Sequence, residues 1–155
     1  MKITIVAVGI KQPEWADSAI ADYLNRFPKD WQVSVKAVKS ELRAGQSKEK
    51  IMQIEAERIR AAIPEHSLII AMDERGRDFT TMEFSKKISS WRDSGDCLAF
   101  IIGGADGLDA KLKKDASMML RLSSMTLPHA MARVMLVEQI YRAFSILTNH
   151  PYHRA

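Results

Sequence analysis

Two stretches of this chain, HSLIIAMD at residues 66–73 and DCLAFIIG at residues 96–103, are short and apolar almost without interruption. Runs of that length with no polar alternation are strands covered on both faces, the condition of a parallel sheet packed between helices. The segments around them supply those helices. Pro13 suits a first helical turn, and Trp15, Ala19, Ile20, Tyr23, Leu24 and Phe27 recur at helical spacing up to Pro28. Ser47 caps a second helix with the stripe Ile51, Ile54, Ile59, Ala62 and Ile63, which Pro64 stops. Thr80 and Glu83 have the spacing of a capping box and open a third, carrying Phe84, Ile88 and Trp91 towards Gly95. Residues 109–116 form a short helix and residues 130–147 a long one, apolar around nearly its whole circumference, so that it is either deeply buried or covered by the sheet and a second subunit.

Further strands fall at residues 2–8, at 32–38, whose strict alternation marks an edge strand with one wet face, and at SMMLRLS, residues 117–123. MKITIVAVG lacks the long apolar region and the small-residue cleavage site of a signal sequence and reads as the first strand. Alternating elements of this kind predict one α/β domain over residues 1–155, mainly parallel, with helices on both faces. A chain of 155 residues buries enough surface to need no disulfide, and its one cysteine, Cys97, is expected as a packed thiol in a reducing, cytoplasmic setting. The longest purely apolar run, Cys97 to Ile102, is far short of the ~20 residues of a membrane helix.

The net charge of +4 is modest, but residues 116–155 hold +3 of it, as Arg121, Arg133, Arg142 and Arg154 against Glu138 alone. Arginine's planar fork suits phosphates and base edges, and His129, His150 and His153 share the same quarter. A solvated basic tail is the plain alternative. Five methionines between Met118 and Met135 read as gap filling in the core rather than as sulfur ligands, and HPYH has no third ligand at useful spacing, so no metal is expected.

Ligands of parallel sheets sit at the carboxyl ends of the strands, an address shared here by the loops at residues 73–78, 103–107 and 123–129. IGGADG, residues 102–107, puts three glycines in five positions, giving free amides and close ligand approach, or simply a tight strand-to-helix turn. It is no dinucleotide fingerprint, because Gly9 stands alone after the first strand. LSSMTLPHA, residues 122–130, is apolar where a turn favours Gly, Asn or Asp, so it must bury itself, either under a neighbouring loop or as the wall of a pocket.

IGGADG, LSSMTLPHAMARVMLVEQIYRAFSI and the closing NHPYHRA, together with VAVGIKQPEW and DYLNRFPKD near the start, resemble the SPOUT methyltransferases, and within them the RlmH family, along essentially the whole chain. The resemblance implies a C-terminal trefoil knot, S-adenosyl-L-methionine as methyl donor, a homodimer paired across the knot, and methylation of N3 of a pseudouridine in 23S ribosomal RNA within the assembled ribosome. It places the donor on Met72, where the family has leucine, on Gly103 and Gly104, and on Leu122, Ser123, Ser124, Met125, Thr126 and Leu127. Arg142, His153, Arg154 and Tyr152 are expected as the RNA-facing catalytic group, with His129 or Glu138 assisting proton transfer, although Glu138 also has the spacing of a structural pair with Arg142. HPYHRA has too few apolar residues to fold alone and is expected to order on a partner subunit or on RNA. The competing reading is a non-catalytic ribosome-associated binding protein on the same fold.

Overall fold

The computed structural model describes residues 1–154, in the order β1 (Lys2–Val8), α1 (Glu14–Leu24), β2 (Gln32–Val38), α2 (Lys48–Ala62), β3 (Ser67–Asp78), α3 (Thr81–Asp93), β4 (Cys97–Ile102), α4 (Ala110–Asp115), β5 (Met118–Arg121) and α5 (His129–Leu147). The five strands form one sheet, every pairing parallel, in the order β2-β1-β4-β3-β5. All carboxyl ends therefore lie along one edge.

Side chains of β1 and β4 alternate between two cores. Ile3, Ile5, Ala7, Leu98, Phe100 and Ile102 face α1, α3 and α5, while Val6, Val8 and Ile101 face α2 and α4. Ile3, Ile5, Val6 and Ala7 have no exposed surface, which is why the apolar run shows no alternation. The expected edge strand is β2, half exposed along its length. Ser47 accepts a hydrogen bond from Lys50 N at the start of α2, and Thr80 with Glu83 forms the reciprocal capping box of α3.

Long-range packing changed several expectations. Residues 74–78 are not simply a loop: Met72 and Arg77 both register on Leu120, so residues 73–76 leave the ladder as an excursion and the strand resumes at Arg77. Gly76 makes this possible, since a Cβ there would stand 2.6 Å from the Leu120 backbone carbon. Helix α1 stops at Leu24, short of Pro28, and Trp15 on its expected stripe is 51% exposed. Helix α5 is the deeply buried one, flanked by α1 and α3, with Met131 and Met135 left on its outer face. Those two and Met125, which is 76% exposed, do not fill the core, whereas Met118 and Met119 are half-buried in β5. Cys97 is free and half-buried. Among the described residues no helix is long and apolar enough to cross a membrane.

Candidate functional site

The carboxyl edge carries a cavity of about 710 Å³, lined by the excursion after Met72, by Gly103 to Leu108, and by Leu127, His129 and Ala132 at the start of α5. Lys48 and Met52 of α2 complete it. A smaller apolar recess of about 180 Å³ adjoins it through Met72, Ile102 and Leu127, and is walled by Leu120, Leu122, Ser123, Met125 and Thr126. Three loops far apart in sequence thus meet where parallel-sheet ligands bind.

Close packing forms the glycine turn. Gly107 N donates to Gly104 O at 3.0 Å, and a Cβ on Gly103 would fall 2.6 Å from the Gly107 carbonyl carbon and 2.7 Å from its oxygen. No side chain fits there. Gly104 faces a different neighbour: a Cβ would meet the two carboxylate oxygens of Glu55 at 3.0 and 3.2 Å and Val8 Cγ1 at 3.1 Å. The excursion is tied down by Asp73, whose Oδ1 accepts from Arg75 N at 2.8 Å and whose Oδ2 pairs with Lys113 Nζ at 3.1 Å. Asp106 pairs with Arg43 at 2.6 Å, joining the glycine turn to the loop ahead of α2. Of the residues the resemblance assigns to a donor, Met72, Gly103, Gly104 and Leu127 line the main cavity, and Leu122, Ser123, Met125 and Thr126 line the recess. Ser124 is exposed and lines only a separate shallow recess with Glu74 and Arg75.

His129 Nε2 lies 3.0 Å from Val8 O, where it donates. Burial, and then the neighbouring Arg133 charge, hold the imidazole below its ordinary pKa, opposed by the Val8 bond. Arg133 is 2% exposed, and its Nη2 donates to Val8 O at 3.1 Å and Gly9 O at 3.0 Å. It closes the end of β1, so Gly9, at φ +111°, serves a turn packed on a buried guanidinium.

The second expected group stands elsewhere. Arg142 is ten positions beyond Ala132 on α5, roughly 15 Å along the axis from the cavity wall. Its Nε and Nη2 donate to Glu138 Oε1 at 2.8 and 2.5 Å, and its Nη1 donates to His153 Nδ1 at 3.0 Å. Arginine has no acceptor, so His153 Nδ1 must be the bare nitrogen and its proton sits on Nε2, which is enclosed and lacks a partner. Tyr152 Oη donates to Glu138 Oε1 at 3.1 Å and lies 2.9 Å from Tyr23 Oη. Burial, then the Tyr23 bond, push the Tyr152 phenol well above its ordinary range. The Glu138 bond holds the Arg142 pKa up in turn. Glu138 is therefore the hub of a side-chain network and the partner of Arg142. Residues 150–153 pack on α1 and α5 of their own chain, with Tyr152 edge-on to Tyr141 at 4.9 Å between ring centroids. Ordering on another molecule is not needed to place them. Arg154 is exposed.

The C-terminal charge excess is mostly internal. Arg133 is buried, Arg121 is bound to Asp78, and Arg142 to Glu138. Sequence reasoning missed Glu55, Arg133, Tyr23 and Arg26, whose guanidinium lies 5.1 Å from the Tyr23 ring centroid and 5.9 Å from that of Tyr152. Only Glu55 carried a signal, a charged residue between Ile51 and Ile59 on an apolar stripe. Among the described residues no three His, Cys, Asp or Glu side chains converge as metal ligands.

Comparison with known proteins agrees with this geometry. A family model described as "Predicted SPOUT methyltransferase" matches residues 1–153. The chain is 51% identical over the full length of both chains to the Ribosomal RNA large subunit methyltransferase H of Burkholderia vietnamiensis (strain G4 / LMG 22486). It is 49% identical, again end to end, to the protein of that name from Burkholderia thailandensis. Among solved structures, a probable methylase family protein from Haemophilus influenzae Rd KW20 superposes with a TM-score of 0.56 at 16% identity, over 99% of this chain and 70% of the other. A probable methyltransferase from Bordetella pertussis Tohama I gives 0.54 at 12% identity, over 92% and 95%. Those two likenesses concern the fold.

Proposed function

This chain belongs to the SPOUT methyltransferases and within them to the family of Ribosomal RNA large subunit methyltransferase H, and from that premise we propose that it methylates N3 of a pseudouridine in 23S ribosomal RNA, in the assembled ribosome, as a cytoplasmic homodimer using S-adenosylmethionine. The observation that carries this reading is the convergence of Met72, the glycine turn and residues 122–127 other than Ser124 on one cavity with an apolar recess. The cavity fits such a donor: Gly103 and Gly104 line it with backbone rather than side chains, and Leu122, Leu127 and Ile102 offer apolar surface to an aromatic ring.

Bound S-adenosylmethionine supplies an electrophilic methyl group on a sulfonium centre. The chain's own residues do the rest. N3 of a uracil-type ring is a weak imide acid, and each pKa unit between it and the working pH costs about 1.4 kcal/mol. The N3 proton leaves to water, and hydrogen-bond donors aimed at the flanking carbonyl oxygens lower the cost of that loss by stabilising the developing charge. His153, kept by Arg142 with its proton on Nε2, is one such donor, and Arg154 is a second. Arg142 commits three of its five N–H donors to Glu138 and His153 and acts by orienting His153, while Glu138 holds Arg142 and Tyr152. In the resting chain the His153 N–H is enclosed, so the tail must shift to present it.

The roughly 15 Å between this group and the cavity of the same chain supports a site completed by two copies, the tail of one facing the cavity of the other. The exposed Met125, Met131 and Met135 near the cavity supply apolar surface for such a pairing. The path of the chain from β5, across the carboxyl ends of β3 and β4, to the end of β1 supports the trefoil knot. The test is incubation with labelled S-adenosylmethionine and ribosomes lacking the modification, followed by nucleoside mass spectrometry. Label is expected on N3 of one pseudouridine. Labelling of protein-free RNA but not of ribosomes overturns the assembled-particle reading, and donor binding without any labelled RNA makes the chain a non-catalytic binding protein.

A further inference from the structure

Glu55 takes no part in the chemistry above, yet its carboxylate lies against the glycine turn. It is 5% exposed, projects from the middle of α2, and occupies the space where a Cβ of Gly104 would stand. Its hydrogen bond comes from Glu41 N, to Oε2 at 3.0 Å, and among the described residues it makes no ion pair. Arg58, three positions on, is committed to Glu41 Oε1 and Lys39 O instead. A buried carboxylate with no cation is costly, because burial weakens its solvation and one main-chain hydrogen bond returns only part of the loss. Gly104 lines the cavity and Glu55 does not.

Resting on the donor-binding reading above, we propose that Glu55 is a positioning residue whose uncompensated charge, acting through the bare backbone of Gly104, makes the cavity prefer the cationic sulfonium donor over its neutral thioether product. The two ligands differ in the methyl group and one unit of positive charge. With no side chain at Gly104 and the carboxylate only 5% exposed, the charge is poorly screened. For unit charges roughly 10 Å apart at an effective dielectric near 20, the preference is about tenfold. Methyl transfer removes that charge from the ligand, so the same carboxylate that holds the donor ceases to hold the product.

The experiment is calorimetric titration of the full-length parent, Glu55→Gln and Glu55→Asp with S-adenosylmethionine and, separately, S-adenosylhomocysteine, alongside their melting temperatures. Glu55→Gln keeps the shape and the acceptor for Glu41 N but removes the charge. It is expected to weaken the donor about tenfold while leaving the product within about twofold. Glu55→Asp keeps the charge and shortens the wedge, so both ligands weaken together and the ratio of their dissociation constants stays at the parental value. A Gln variant with the parental ratio, or an Asp variant whose ratio falls as far as that of Gln, overturns the proposal. A parent that binds neither ligand defeats the donor-binding reading itself, a separate outcome.

Discussion

The cavity at the carboxyl edge and the Glu138 cluster on α5 are built on opposite principles. The cavity is a place where side chains are missing: glycines approach backbone at van der Waals limits, and Leu122 and Leu127 offer apolar surface. The cluster consists of side chains that satisfy one another, with Arg142, Tyr152 and Gln139 all donating to one carboxylate. A site made of backbone tolerates changes at its side chains but not an added Cβ. A site made of a polar network tolerates bulk at its rim but not a missing acceptor.

The largest effect is expected at Gly103. In Gly103→Ala the new methyl meets backbone rather than the end of a flexible side chain. Overpacking of this kind costs about 1–3 kcal/mol, and the turn must move to relieve it. Donor affinity, by calorimetry, should fall at least about 100-fold in the folded variant, whereas Met125→Ala on the exposed loop should stay within about threefold. Tight donor binding by Gly103→Ala would break the distinction between a backbone-built and a side-chain-built site.

Glu138→Ala comes next. It strands the Arg142 guanidinium and the Tyr152 hydroxyl, and is expected to lower the unfolding free energy by about 2–4 kcal/mol, measured by urea denaturation. Methyl transfer to ribosomes should drop by at least about 100-fold, because Arg142 no longer fixes His153, while donor affinity stays within about twofold. Tyr152→Phe, which removes one hydroxyl from the same hub, should cost only about 1 kcal/mol. If Glu138→Ala weakens the donor as much as it weakens catalysis, the two regions are a single site within one chain, and the two-copy reading fails.

How much of this could be read from the sequence follows the same division. Strands at residues 2–8 and 32–38, the Ser47 cap and the Thr80–Glu83 box were legible because period and capping are local signals. The glycine turn was legible in part, since three glycines in five positions after a buried strand offered either a ligand cradle or a tight turn, and the close approach of Gly103 to Gly107 appeared only in the structure. What stayed hidden depends on partners distant in the chain. The excursion at residues 73–76 exists because β5 pairs with β3 on both sides of it, and Leu120 lies more than 40 positions away. Of the arginines counted as a basic tail, Arg121 and Arg142 are paired with Asp78 and Glu138 and Arg133 is buried on the carbonyls of Val8 and Gly9, contacts that net charge cannot display. The tail's docking on Tyr23 and Tyr141 likewise joins the two ends of the chain.

The smallest expected effect concerns His129, the one candidate that touches the cavity and can titrate near neutrality. Its folded pKa lies below the ordinary value of 6.5, chiefly through burial. The unfolded chain therefore binds a proton there that the folded chain does not, in the window just under pH 6.5. Stability contributed by keeping the ring neutral is complete above that pH and is lost as pH falls through the folded pKa. His129→Gln removes the titration while leaving an amide nitrogen near the Nε2 position, able to donate to Val8 O. Urea denaturation across pH 5 to 7.5 should show a shallower acid-side decline for the variant than for the parent, with the two curves parallel above pH 7. Equal slopes would place the acid sensitivity in other groups. A steeper decline in the variant would mean that protonated His129 is stabilised, contrary to its burial beside Arg133. Donor titrations at the two ends of the same range sharpen the contrast: protonated His129 adds a positive charge at the cavity wall, so the parent should hold the cationic donor less tightly at the acid end, and His129→Gln should lose less.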